Sequence, residues 1–136
     1  MHPLPKLRLA GPPIFEQVRD LLAEEVVMHS PLLTKAIVGR DAVARTIVAS
    51  ARNRDDPGRY VLEHKIDDTT TLLHWRGTIE GHEFESLELL VDDAQGRLLE
   101  RTIAYRPFPA LRIFHDKMRA LAGDSIPDDA WDYPAA

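Results

Sequence analysis

Residues 81–105, GHEFESLELLVDDAQGRLLERTIAY, constrain the fold more than any other stretch of the chain. They read as two long strands joined by the tight turn Asp93-Ala94-Gln95-Gly96. Glu88 stands in the middle of the first strand. A carboxylate in mid-strand either faces solvent or faces a cavity where an acid is useful.

The two-residue period extends upstream. Tyr60, Leu62, His64 and Ile66 alternate with Val61, Glu63, Lys65 and Asp67, and a turn over residues 67–70 leads to a strand over 71–79. A tight turn at Glu80-Gly81 then leads to strands over 82–92 and 97–106. Four consecutive strands with hairpin connections make an antiparallel sheet. Before them, a short helix is expected over 14–23, with Phe15, Val18 and Leu22 on one face. A strand at 26–30 stops at Pro31, and a helix capped by Asp41 runs over 42–52 with Val43, Ile47 and Ala51 on one stripe. Leu111, Phe114, Met118 and Leu121 mark a closing amphipathic helix after Pro107 and Pro109. Residues 1–13 hold four prolines and read as an irregular arm. Residues 14–122 read as the folded domain, and 123–136 as a flexible tail carrying Trp131 and Tyr133.

The length of 136 residues suits one compact domain. A net charge of −5 argues against nucleic acid and anionic membranes as partners. The absence of cysteine excludes disulfides and thiol chemistry and is compatible with a reducing cytoplasm, where the chain is expected. No signal peptide or membrane span is read.

Directly opposed residues of a hairpin share a face. A turn centred near Asp68-Thr69 places His64 opposite Leu73 and Leu62 opposite Trp75. A turn centred near Glu80-Gly81 places Trp75 opposite Ser86 and Leu73 opposite Glu88. One face thus gathers Tyr60, Leu62, His64, Ile66, Leu73, Trp75, Phe84, Glu88 and Leu90. It is the more aromatic face and is assigned to the concave side under the helices. For the last strand, a bulge at Gly96 turns Leu98, Glu100, Thr102, Ala104 and Arg106 inward, whereas a four-residue loop turns Leu99, Arg101, Ile103 and Tyr105 inward. The first is preferred, because glycine is the usual bulge residue. Leu72, His74, Leu87, Leu89, Leu99 and Ile103 then form a stripe on the convex side, rimmed by Arg76 and Arg101, suited to a symmetric homodimer.

A short helix, a strand ending in Ser30-Pro31, the helix opening Gly39-Arg40-Asp41-Ala42-Val43, and an acid eight residues before the turn glycine Gly96 follow in order. Over residues 14–121 this pattern resembles the nuclear-transport-factor-2-like superfamily, and within it the SnoaL-like proteins. The resemblance implies an α+β cone, a curved antiparallel sheet covered on its concave face by helices. It also implies a small hydrophobic molecule as partner and, in an enzyme, cyclisation, isomerisation or hydration of a carbonyl- or ring-bearing metabolite. Glu88 matches the position of the pocket acid of ketosteroid isomerase. The isomerase's general base falls on Ser30, which cannot act as a base near neutral pH, and its oxyanion-hole tyrosine has no counterpart on the short first helix.

Glu88 with His64 is the acid/base candidate, since a desolvated glutamate has a raised pKa and an imidazole could share its proton. The alternative is a buried ion pair of Glu88 with Arg106 or His64. Phe15, Met28, Ser30, Tyr60, Leu62, Trp75, Phe84, Leu90, Thr102 and Arg106 are the expected ligand-binding residues, with Trp75 as a flat wall or as ordinary core. The six histidines show no ligand spacing, and there is no phosphate loop or dinucleotide fingerprint, so neither metal nor cofactor is expected. Arg45, Arg52, Arg54 and Arg59 read as a solvated group.

Overall fold

A computed structural model describes residues 1–134. Strands β1 (Leu22–His29), β2 (Ile37–Val38), β3 (Arg59–Lys65), β4 (Thr70–Ile79), β5 (His82–Asp92) and β6 (Leu98–Arg106) form one sheet in the order β2-β1-β6-β5-β4-β3. β3 to β6 pair antiparallel in sequence order, while β1 lies parallel to β6. Helices α1 (Pro3–Leu9), α2 (Phe15–Arg19), α3 (Arg40–Arg52) and α4 (Phe108–Ala122) are joined by a short C-terminal helix, α5 (Asp128–Trp131). Together these make the curved α+β sheet with helices on its concave side that the sequence implied.

Two core regions fill the concave side. Leu22, Val26, Met28, Val43, Ala44, Ile47, Leu73, Leu90 and Leu98 form one under α3. Trp75, Ile79, Phe84, Phe114, Met118 and Trp131 form the other under α4. The α3 stripe is broader than Val43 and Ile47, because Ala44 and Val48 are buried with them. Gly39, at φ 99°, caps α3, and Asp41 sits in its first turn paired with Arg19 at 2.7 Å. An acid there also complements the helix dipole.

Both termini depart from expectation. The proline-rich start is not irregular. Pro3 occupies the first helical turn, where its missing N–H costs nothing. The His2 ring caps the helix by accepting the Leu4 N–H at 3.1 Å, and Leu4 is fully buried. At the other end, α5 buries Ala130 and Trp131, and the Ala130 carbonyl accepts the Thr34 N–H at 2.7 Å. Tyr133 is exposed, and residues 135–136 of the expected tail lie outside the described residues. β1 also begins earlier than its β-branched run suggests. The Leu21 carbonyl accepts the Leu98 N–H, and pairing with β6 draws Leu22 and Ala23 into the sheet.

The sheet register decides which side chains look inward. β4 and β5 pair as expected, with Trp75 opposite Ser86 and Leu73 opposite Glu88. β3 is one residue out, with His64 opposite Leu72 and Leu62 opposite His74. The cause is Asp67, whose Oδ1 accepts the N–H groups of Thr69 at 3.0 Å and Thr70 at 2.8 Å and moves the turn. An irregularity at Val61 restores Tyr60 to the inner face, opposite Trp75. Leu62, His64 and Ile66 are therefore exposed, not inward.

The β5–β6 hairpin also resolves against the preferred choice. Asp93 Oδ1 accepts the N–H groups of Gln95 and Arg97, each at 2.9 Å, and the register shift falls between Val91 and Asp92 rather than at Gly96. Leu90 then opposes Arg101, Glu88 opposes Ile103 and Ser86 opposes Tyr105. Arg101 and Ile103 are buried inside, and Thr102 and Arg106 face out. Ile103 is thus lost from the convex stripe and Arg101 from its rim.

Candidate functional site

The concave face is crossed by a row of opposed residues, Tyr60, Trp75, Ser86 and Tyr105, with Glu88 one step further along β5. Glu88 is fully buried there, as its register requires. Its partners are not the expected ones. Arg101 Nε donates to Glu88 Oε1 at 2.8 Å, and Arg8 Nη1, reaching in from α1, donates to Oε2 at 3.4 Å. Burial alone raises the Glu88 carboxyl, but Arg101 and Arg8 outweigh it and hold the group below the ordinary carboxylate range. The expected rise of its pKa is therefore reversed. Arg101 Nη1 also contacts Met28 Sδ at 3.5 Å, so Met28 lies at this site.

The expected acid/base pair does not form. His64 is exposed on the opposite face of β3, and Glu88 is engaged by two guanidiniums. Tyr60 is half-buried and inward, with its hydroxyl pKa raised by desolvation. Tyr105 is inward as well, and burial pushes its hydroxyl up to about 12. Its hydroxyl accepts a 2.6 Å hydrogen bond from Arg54 Nη2. Arg54 is not simply solvated, since its guanidinium lies 4.4 Å over the Trp75 ring.

Trp75 is core rather than a pocket wall. It is 1% exposed, meets Phe84 edge-on at 5.8 Å and donates Nε1–H to the Pro57 carbonyl at 2.8 Å. A Cβ on Gly58 or Gly77 would come within 2.5 Å of its indole, so both positions exclude side chains. Phe84 stacks on Tyr105 at 4.4 Å. Leu90 is fully buried, and Phe15 packs partly buried against the same core region. Ser30 ends the strand instead of lining the site, its Oγ accepting the Leu32 N–H at 3.2 Å.

Open space lies at the mouth of the cone. A cavity of about 840 Å³ is bounded by Leu9, the segment Asp56-Pro57-Gly58-Arg59, Arg76 to Thr78, Glu83 to Glu85, and Arg106-Pro107. Of the expected ligand residues it reaches Phe84 and Arg106 only. Its rim carries charges: Glu85 binds Arg106, His74 and Arg76, which hold its carboxyl down to about 2. The lining is accordingly mixed, not largely apolar. Among the described residues no cluster of His, Asp or Glu could hold a metal ion, and no helix is long and apolar enough to cross a membrane.

Sequence reasoning missed Arg8 and Arg101. A buried acid calls for a cation, and Arg101 shares its alternation with Ile103 and Tyr105, a more apolar set than Thr102 and Ala104. Nothing in the local pattern marked Arg8.

No family model matches the chain, and no curated protein matches it. Solved structures do. A steroid delta-isomerase from Pseudomonas aeruginosa is 21% identical, with a TM-score of 0.76 over 89% of this chain and 85% of that one. A protein with a cystatin-like fold from Silicibacter pomeroyi is 20% identical, with a TM-score of 0.79 over 92% and 89%. A SnoaL-like protein from Burkholderia thailandensis is 16% identical, with a TM-score of 0.56 over 68% and 81%. By its strand order, its helix-covered concave face and these likenesses, the chain has the nuclear-transport-factor-2-like cone fold.

Proposed function

We propose that this chain is a small-molecule-binding domain whose ligand enters the mouth of the cone and rests on Phe84, Leu9 and Pro107. The observation that carries this reading is the 840 Å³ opening at one end of strands β3 to β6, lined by inner-face Phe84 and Gly77 and by outer-face Arg76, Glu85 and Arg106. That volume is in the range of sites for metabolite-sized ligands. Its apolar floor and charged rim suit a molecule with an apolar body and polar substituents. Catalysis by a Glu88/His64 pair has no geometric support, because the imidazole is on the other face and the carboxylate is held ionised. Native mass spectrometry of protein taken from its host is expected to show one bound small molecule, lost in Leu9→Trp, which fills the mouth from the helical side. Host-derived protein that is empty, together with fragment-soaked crystals showing nothing in the mouth, would sink the reading.

A second reading, a homodimeric interaction module, is favoured by the convex face. Leu62, Leu87 and Leu89 are 45%, 53% and 41% exposed there, and Leu72 and Leu99 lie between exposure and burial. Apolar residues on the open face of an antiparallel sheet call for a cover. A second copy placed about a two-fold axis would bury on the order of 800 Å² per partner in an interface of standard size. Sedimentation equilibrium at micromolar concentration is expected to give a dimer, and Leu89→Glu a monomer. A monomeric wild type, or a dimer indifferent to Leu89→Glu, removes this face as the interface.

A further inference from the structure

A second cavity, of about 540 Å³, lies apart from the mouth and shares no lining residue with it. Its floor is α3. Val43, Ala44, Ile47 and Val48 turn to the core, so Ala42, Thr46 and Ala49, offset from them at helical spacing, look the other way and line the cavity. Met118, Leu121 and Ala122 of α4 make one wall. Leu33 and Ile37 make a second, and Ile126 and Ala130 a third. The last two walls are fastened together: the Thr34 N–H donates to the Ala130 carbonyl at 2.7 Å, and Lys35 pairs with Asp129 at 2.5 Å. The other polar groups of the lining are engaged as well. Thr46 Oγ1 donates to the Ala42 carbonyl at 2.9 Å, Ser125 Oγ to the Ala122 carbonyl at 2.6 Å, and Met118 Sδ accepts from Asn53 Nδ2 at 3.1 Å. Arg45 alone stands outside these pairings; it is exposed, and a guanidinium at a rim keeps its head in water while its stem lies on apolar surface. The remaining lining side chains are apolar, and Leu121 is 54% exposed among them.

We propose that this cavity is a second ligand site, one that takes a compact, uncharged apolar molecule. It stands independently of the mouth reading and differs from it in chemistry, since the mouth is ringed by charges. The volume is that of a small-molecule site. Walls on three sides of a helical floor suit a compact body that fits between them; a flat partner surface would rest on the rim and leave the floor uncovered. The engaged polar groups set the ligand class. An ionised ligand entering here gives up its hydration to side chains with no free donor or acceptor to return. An apolar body loses nothing of that kind and removes the α3 floor, Met118 and Leu121 from water.

The test uses the three methionines, Met1, Met28 and Met118, as methyl-labelled NMR probes. Met118 lines the cavity, and Met28, buried in the core on the other side of α3, is the internal control. The protein is titrated with indane and with its charged analogues indane-2-carboxylate and 2-aminoindane. Indane is expected to move the Met118 methyl in a saturable way and leave Met28 in place, binding at least about tenfold more tightly than either ion. Thr46→Val, which keeps the side-chain volume and removes a hydroxyl already spent on the helix, retains indane binding within about twofold. Thr46→Phe, which fills the space above α3, abolishes it, and Leu9→Trp, which fills the mouth, leaves it unchanged. Should Thr46→Phe fail to fold, Thr46→Val and Leu9→Trp still decide the matter. A Met118 methyl indifferent to indane up to its aqueous solubility overturns the proposal, as does binding lost in Thr46→Val or in Leu9→Trp. Carboxylate or amine binding as tightly as indane overturns the uncharged ligand class. A Met118 signal that shifts on dilution of the protein alone assigns the cavity to a second copy of the chain and overturns the small-molecule site.

Discussion

Glu88→Gln is expected to destabilise the domain by about 3–5 kcal/mol, the usual cost of removing one partner from a buried ionic group. The substitution keeps the shape of the side chain and removes the one carboxylate that, among the described residues, pairs with Arg8 and Arg101, so two guanidiniums lose their counter-charge. Combining it with Arg8→Met should restore part of the loss, since one buried cation is then removed. Urea denaturation monitored by tryptophan fluorescence measures both. The acid limb of the stability curve should change as well. The folded carboxyl is held below its ordinary value, so its contribution is fully present above the unfolded pKa of about 4.3 and is lost as pH falls through the lower folded value. Glu88→Gln should therefore flatten the fall in stability below that pH. A variant within about 1 kcal/mol of wild type would mean that Glu88 is not the buried counter-ion of Arg8 and Arg101.

Trp75→Ala is expected to cost about 3–5 kcal/mol, as large-to-small changes of buried aromatics do. The indole fills the space left by two glycines, stacks under Arg54, meets Phe84 edge-on and anchors the Pro57 carbonyl. Trp131 remains as the fluorescent probe for the unfolding measurement. A loss below about 1 kcal/mol would show that the ring is not packed as described. The same contacts link this residue to the pocket reading, since Pro57, Gly58 and Gly77 border the mouth. Trp75→Ala should loosen that border and weaken any ligand found there.

The strands β3 to β6 were legible because period-two alternation and turn residues agree along the whole stretch, and the Glu80-Gly81 turn set the β4–β5 register correctly. Errors entered where an aspartate governs a turn. Asp67 and Asp93 each capture backbone N–H groups with one carboxylate oxygen, and this moved His64 and Leu62 in one hairpin and Thr102 and Arg106 in the other to the outer face. A shift of one residue exchanges every side chain between faces, so a small turn effect removed the His64 half of the acid/base pair. Glu88 was placed correctly because it depends only on the hairpin that was read correctly. Its electrostatics were not, because its counter-ions come from β6, whose face was misassigned, and from α1. A seven-residue helix whose side chains earn their place only by tertiary contact leaves little local pattern to read.

The parallel pairing of β1 with β6 sets an order on the assembly of this chain during synthesis. Val27 and Met28 take their register from Glu100 and Arg101. β1 therefore leaves the ribosome long before the strand that will hold it, with only the two-residue β2 beside it. The hairpins β3–β4, β4–β5 and β5–β6 close short loops and form first, whereas β1 must wait for a distant partner and docks late. A nascent or truncated chain that stops before residue 98 keeps an unpaired strand edge next to Val26 and Met28, which belong in the core. Such a chain is a substrate for chaperones and proteases, not a smaller version of the fold.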